Sequence, residues 1–188
     1  MELRPGDLVL CINNRNDLYS RLKRWAIGPY EHIFLYLGKV IILNGGHNIE
    51  LAPTPMLFES DGRGVVLQSL SIRYGQEVMV LRSNMAPSNT EKILREAIKL
   101  ASEKQAYYDY LVVAWHIIPR IIFEKLGLDP PLKYQRNEQH ICSEAILEVH
   151  LRAGIPVLPD DVVPLPGDFY WTTFYAYCWQ GKLTDEIV

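Results

Sequence analysis

His140-Ile141-Cys142-Ser143-Glu144-Ala145-Ile146 places a cysteine where a helical pattern begins. Ala145, Ile146, Val149 and Ala153 recur on one face, and Gly154 with Pro156 supplies a stop, so the spacing predicts a helix that starts at Cys142. A thiol at that position meets unpaired backbone N–H groups and the positive end of the helix dipole, and both favour the thiolate. Most cysteines of an intracellular protein are small buried hydrophobes instead. Cys11, inside an apolar strand, and Cys178, among aromatics, are assigned that ordinary role.

Upstream the period changes. Asp7 to Ile12, His32 to Leu37, Val40 to Asn44, Met56 to Glu59, Gly64 to Leu70 and Glu77 to Leu81 are apolar or β-branched runs. Gly, Asn, Pro and Asp-Gly punctuation separates them at hairpin-like spacing, which predicts an antiparallel meander. Ser88 with Glu91 has the form of a capping box, followed by Ile93, Leu94, Ala97, Ile98 and Ala101 at helical spacing. Strands first and helices afterwards predict an α+β fold rather than an alternating parallel sheet. The apolar stretch 111–123, broken by His116, Pro119 and Arg120, is too short to span a bilayer. With the Pro-rich, charged run after it, it predicts a helical and loop insertion at about 111–139, whose segment from Trp115 to Gln139 walls the groove beside Cys142 as a lid. The aromatic tail from Phe169 to Trp179 is expected to pack back onto the domain.

The 188 residues fit a single domain, 1–188, with enough chain to bury a core. A net charge of −3, from 19 basic and 22 acidic residues spread along the sequence, argues against nucleic-acid binding. No Gly-rich phosphate loop follows a strand, so a nucleotide fold has no support. The opening Met-Glu-Leu-Arg-Pro-Gly-Asp lacks the basic and apolar regions of a signal peptide, and three widely spaced cysteines make no disulfide framework. A cytoplasmic setting is the expectation, with no cofactor and no transmembrane segment.

His32 opens the second apolar run. An edge histidine on a strand is more often solvated or structural than a base. Taken together, however, Arg4-Pro5-Gly6-Asp7-Leu8-Val9-Leu10, His32 to Gly38, Phe58-Glu59 before Gly64-Val65-Val66, Tyr108-Asp109 and Cys142-Ser143-Glu144 resemble the circularly permuted branch of the NlpC-like papain-fold superfamily. That branch includes the YiiX-like and lecithin:retinol acyltransferase-like proteins and places the histidine before the cysteine. The resemblance runs from about Arg4 to Asp161 and rests on the order of short motifs.

It implies a papain-like antiparallel sheet packed against the nucleophile helix, and a thiol hydrolase or acyltransferase for amide or ester bonds. Position by position, Cys142 matches the nucleophile, His32 the base, Glu59 the group that orients the histidine, and Tyr108 a residue that polarises the substrate carbonyl. Phe34 and Ile141 depart from the family pattern and alter pocket shape more than mechanism. The stretch from Lys39 to Leu57 is longer than the family's link, so Asn44, Glu50 and Asp61 stand as rivals to Glu59. The implied partner is a small peptide, a cell-wall fragment or a lipid-type substrate. Two other readings compete: a non-catalytic papain-fold module that binds peptide or lipid in the same groove, and a zinc site from Cys142, His140 and His32, which lacks a second tight ligand pair. Asp7 is expected to hold a turn and Glu144 to complement the helix dipole, while His47, His116 and His150 read as loop or helix residues without partners.

Overall fold

Alternating apolar side chains along the first half of the chain build a sheet whose two faces are both covered. The computed structural model describes residues 1–40, 53–61, 64–103, 141–159 and 163–188. In chain order the elements are β1 (Leu8–Ile12), α1 (Leu18–Ile27), β2 (Tyr30–Val40), β3 (Thr54–Asp61), β4 (Gly64–Ser69), a 3₁₀ turn at Leu70–Arg73, β5 (Glu77–Ser83) and α2 (Pro87–Ser102). There follow α3 (Cys142–Arg152), a 3₁₀ segment at Pro166–Trp171, β6 (Tyr175–Lys182) and a last 3₁₀ turn at Asp185–Ile187. The strands form a six-stranded sheet in the order β4-β3-β2-β1-β5-β6, and every neighbouring pair is antiparallel. The α+β class expected from the sequence is therefore observed. The expected insertion at 111–139 and its lid lie outside the described residues.

Strand periodicity sorts the core into two layers. Leu8 and Leu10 of β1, Ile33 and Leu35 of β2, and Phe58 of β3 pack under Ile93, Ala97 and Leu100 of α2 and Ala145, Ile146 and Val149 of α3. Val9, Cys11, Phe34, Tyr36, Leu57, Val78 and Val80 face the other way and are covered by Leu3, Leu70 and Leu183. That second cover explains why β1 reads as a nearly continuous apolar run instead of a half-polar one.

Three expectations are corrected. Residues 13–29 are not simply a link in a meander: Asp17 caps α1, accepting from the Ser20 N–H at 2.9 Å and the Ser20 hydroxyl at 2.8 Å. The run from His32 to Leu37 and the start of the next belong to one strand, β2, which passes through Gly38 at φ 95° with a register shift between Tyr36 and Gly38. Ser88 and Glu91 do not box the start of α2; Ala86 is its N-cap with no side-chain bond, and Pro87 at the first helical position needs no N–H partner. The aromatic tail does pack back, as edge strand β6 beside β5. Among the described residues no helix is long and apolar enough to cross a membrane.

His150 is also corrected: it is fully buried on α3 and has two partners. Its Nδ1 lies 2.6 Å from the Ile146 carbonyl, which can only accept, so Nδ1 carries the proton and Nε2 accepts from the Tyr175 hydroxyl at 2.7 Å. This neutral ring fixes α3 to the start of β6. Burial pushes its pKa down to about 4, against 6.5 in an unfolded chain. Between those values the unfolded state binds more protons, so stability is lost as pH falls from 6.5 toward 4. In His150→Phe the Tyr175 hydroxyl and the Ile146 carbonyl lose this partner, which costs about 1–3 kcal/mol at neutral pH. Urea unfolding across pH should show that loss together with a flatter acid dependence than the wild type.

Candidate active site

The cysteine helix and two central strands meet at one point. Cys142 is the first helical residue of α3, after Ile141 as N-cap. Ile141 offers no side-chain acceptor to the orphan N–H groups, but Glu144 reaches back and accepts from the Ile141 N–H at 2.8 Å. Glu144 thus complements the helix terminus as expected. The next residue, Ser143, is buried and donates its hydroxyl to the Pro164 carbonyl at 2.6 Å, tying this helix end to the segment that precedes Pro166–Trp171.

Two irregularities of β2 open the space that Cys142 fills. Cys11 pairs with His32 while Ile12 pairs with Tyr30, leaving Glu31 as an extra residue and His32 beside a bulge. Pairing of β2 with β3 runs from Val40 opposite Thr54 to Leu35 opposite Phe58 and ends there, although β3 continues to Asp61 against β4. Among the described residues that edge of β2 has no strand partner at Ile33, and the Ile33 and Ser143 N–H groups favour the thiolate of Cys142.

Cys142 and His32, distant in sequence, face each other closely enough that each shifts the other's ionisation. His32 Nε2 lies 2.5 Å from Glu59 Oε2, so the thiol falls to the other ring nitrogen, Nδ1. Glu59 is fully buried and gathers further donors. The Arg73 Nη2 group reaches both carboxylate oxygens at 2.7 Å, and the Gln68 amide donates to Oε1. Arg73 Nη2 also stands 3.3 Å from His32 Nε2. Since that ring nitrogen donates to Glu59, the guanidinium is a charged neighbour of the ring and not its donor.

The electrostatics follow from this order of groups. Burial works against the charged form of His32, yet the Cys142 sulfur and the Glu59 carboxylate outweigh it and hold the imidazolium up to about 9. Burial likewise raises the Cys142 thiol, but the His32 charge and hydrogen bond, with the Ile33 and Ser143 N–H groups, bring it below its ordinary value. For Glu59, burial is outweighed by His32 and then Arg73, which keep it ionised below the usual carboxylate range. Cys11 is the control within the same fold: buried in β1 with Gln76 Oε1 at 3.2 Å, its thiol is pushed up to about 12. Only one of the two buried thiols is prepared to ionise.

Of the residues singled out by sequence, the structure brings together Cys142, His32 and Glu59. Tyr108 lies outside the described residues, as do His140 and two rivals for the third position, Asn44 and Glu50. The remaining rival, Asp61, ends β3 beyond Glu59, and the bond to His32 is made by Glu59. Sequence reasoning missed Arg73 and Gln68. Gln68 lies on β4, paired with β3, so a polar residue in that register was a faint signal; Arg73, on a 3₁₀ turn, had none. No model of a known protein family and no curated protein matches the sequence.

Arg73→Gln would leave the buried Glu59 carboxylate with His32 as its remaining cation and should cost about 3 kcal/mol. Adding Glu59→Gln should recover much of that loss, because removing both partners of a buried pair costs less than removing one. Denaturant unfolding of the two single variants and the double variant checks this; additive losses would mean that the two side chains act separately.

Proposed function

We propose that this chain is a cysteine hydrolase or acyltransferase of the permuted papain-like type, acting on an amide or ester bond. The observation that carries the reading is the line Cys142–His32–Glu59–Arg73, in which one buried thiol is paired with an imidazole that a buried, ionised carboxylate orients. A thiolate is the nucleophilic form of cysteine, and a structural cysteine has no use for such a partner, as Cys11 illustrates. The arrangement favours catalysis over a binding module built on the same groove.

In the proposed reaction the Cys142 thiolate attacks the substrate carbonyl carbon, and the carbonyl electrons move onto oxygen. In this reading the backbone N–H of Cys142, at the helix terminus, receives that oxyanion. His32 then gives its Nδ1 proton to the departing amine or alkoxide, leaving a thioester on Cys142. Water, or a second acceptor in a transferase, attacks the thioester as His32 takes its proton, and the acid is released with the thiolate restored. Glu59 keeps Nε2 protonated throughout and steadies the imidazolium, while Arg73 keeps Glu59 ionised.

Alkylation of Cys142 by iodoacetamide followed against pH should show a thiol that ionises below the usual range for cysteine. In His32→Ala that titration should move upward, because the stabilising cation is gone. Incubation with activated esters, thioesters and amides should leave an acyl group on Cys142, detectable by mass spectrometry and absent in Cys142→Ser. An ordinary thiol titration, indifferent to His32→Ala, together with no acyl adduct, would overturn the enzyme reading and leave the binding module.

A further inference from the structure

Helix α1 is turned the opposite way from an ordinary surface helix. Leu18, Leu22 and Trp25, at the i, i+4 and i+7 spacing of one face, are 73%, 58% and 62% exposed. Ser20 and Arg24 turn the other way. Ser20 is buried against the Asp17 cap, and Arg24 folds back to donate to the Asn13 and Arg15 carbonyls. These bonds fix the orientation of the helix, so the apolar stripe does not face water for want of anchoring. Three large apolar side chains, each more than half exposed on one face, form a patch of the kind that marks an interaction surface.

We propose that this face of α1 docks on an anionic lipid bilayer. The charge pattern selects that occupant. From 18 to 27 the helix contains Arg21, Lys23 and Arg24 and no acid, and Arg15 lies just before it. Arg21 is exposed along with the stripe. A leucine, a leucine and an indole flanked by cations match the boundary between acyl chains and anionic headgroups, where tryptophan is favoured. A second copy of the same face fits less well, since a two-fold contact sets each patch against itself and brings like charges together. The net charge of −3 for the whole chain does not oppose docking. Charges beyond about 10 Å are screened at ordinary salt, so the local cluster governs the contact.

The docking surface stands on its own observations and does not need the catalytic reading. In the chain it lies just before the strand that carries His32. Helix α1 ends at Gly28, whose φ of 82° turns the chain into β2, and His32 stands two residues beyond the first residue of that strand.

Sedimentation of the full chain with sucrose-loaded vesicles tests the proposal. Phosphatidylcholine vesicles are compared with vesicles in which part of the lipid is phosphatidylglycerol, at low and high salt. The chain should bind the anionic vesicles preferentially and release as salt rises. The double variant Leu18→Ser with Leu22→Ser should bind about tenfold more weakly. Arg21→Glu should lose the anionic preference. These side chains are exposed, so an unchanged urea midpoint should accompany the loss, with Trp25→Ser as a second variant if the double one is destabilised. Equal binding to both vesicle types, no binding to either, or binding that ignores the leucine and tryptophan substitutions would overturn the proposal. Concentration-dependent dimerisation abolished by Leu22→Ser would assign the face to a second copy and overturn it as well.

Discussion

A carboxylate with no exposed surface sets the terms for the rest of the site. An isolated charge buried as deeply as that of Glu59 is unaffordable, so the group must either take up a proton or be surrounded by cations and donors. Here it is surrounded: His32 on one side, Arg73 on the other, and the Gln68 amide as well. The consequence reaches the cysteine. A carboxylate held ionised favours a proton on His32, and a protonated His32 lowers the pKa of the Cys142 thiol. From α3 through β2 and β3 to the turn at Arg73, groups that favour alternating charge follow one another. Arg73 acts on the cysteine at second hand, since its nearest partner is Glu59 and not the Cys142 sulfur.

Backbone irregularity delivers those side chains to one place. In a regular ladder His32 would share a face with Phe34 and Tyr36, away from the helices that cover Ile33 and Leu35. The end of β2–β3 pairing at Leu35 leaves the edge of β2 at Ile33 without a strand partner among the described residues, and there the first residue of α3 comes against both the backbone and the ring. His150 and Ser143 then fix α3 from further along and from its start.

Much of this was legible in the sequence, for physical reasons that differ by element. The α+β order and most strands showed because a sheet covered on both faces leaves short apolar runs between turn residues, and α3 showed because Ala145, Ile146 and Val149 share a face. Glu59 stood among rivals in the sequence, since a carboxylate's partner across a sheet depends on register. Helix α1 was overlooked although Asp17 with Ser20 is a start signal and Leu18, Leu22 and Trp25 have helical spacing; a meander on either side masked it. Strand β6 was hidden among aromatics with no alternation. Arg73 left no mark at all, because its role comes only from where a 3₁₀ turn deposits it. His150 seemed partnerless because its hydroxyl partner, Tyr175, comes from that same hidden strand.

The most direct test of the charge line is the protonation state of His32, read from its imidazole nitrogen shifts by NMR. The signal can be assigned among the five histidines with His32→Gln. At neutral pH the ring should carry both protons. Capping Cys142 with methyl methanethiosulfonate removes the thiolate, and the His32 pKa should then fall. A ring that is neutral at pH 7 in the unmodified protein, or one that does not respond when Cys142 is capped, would contradict the account.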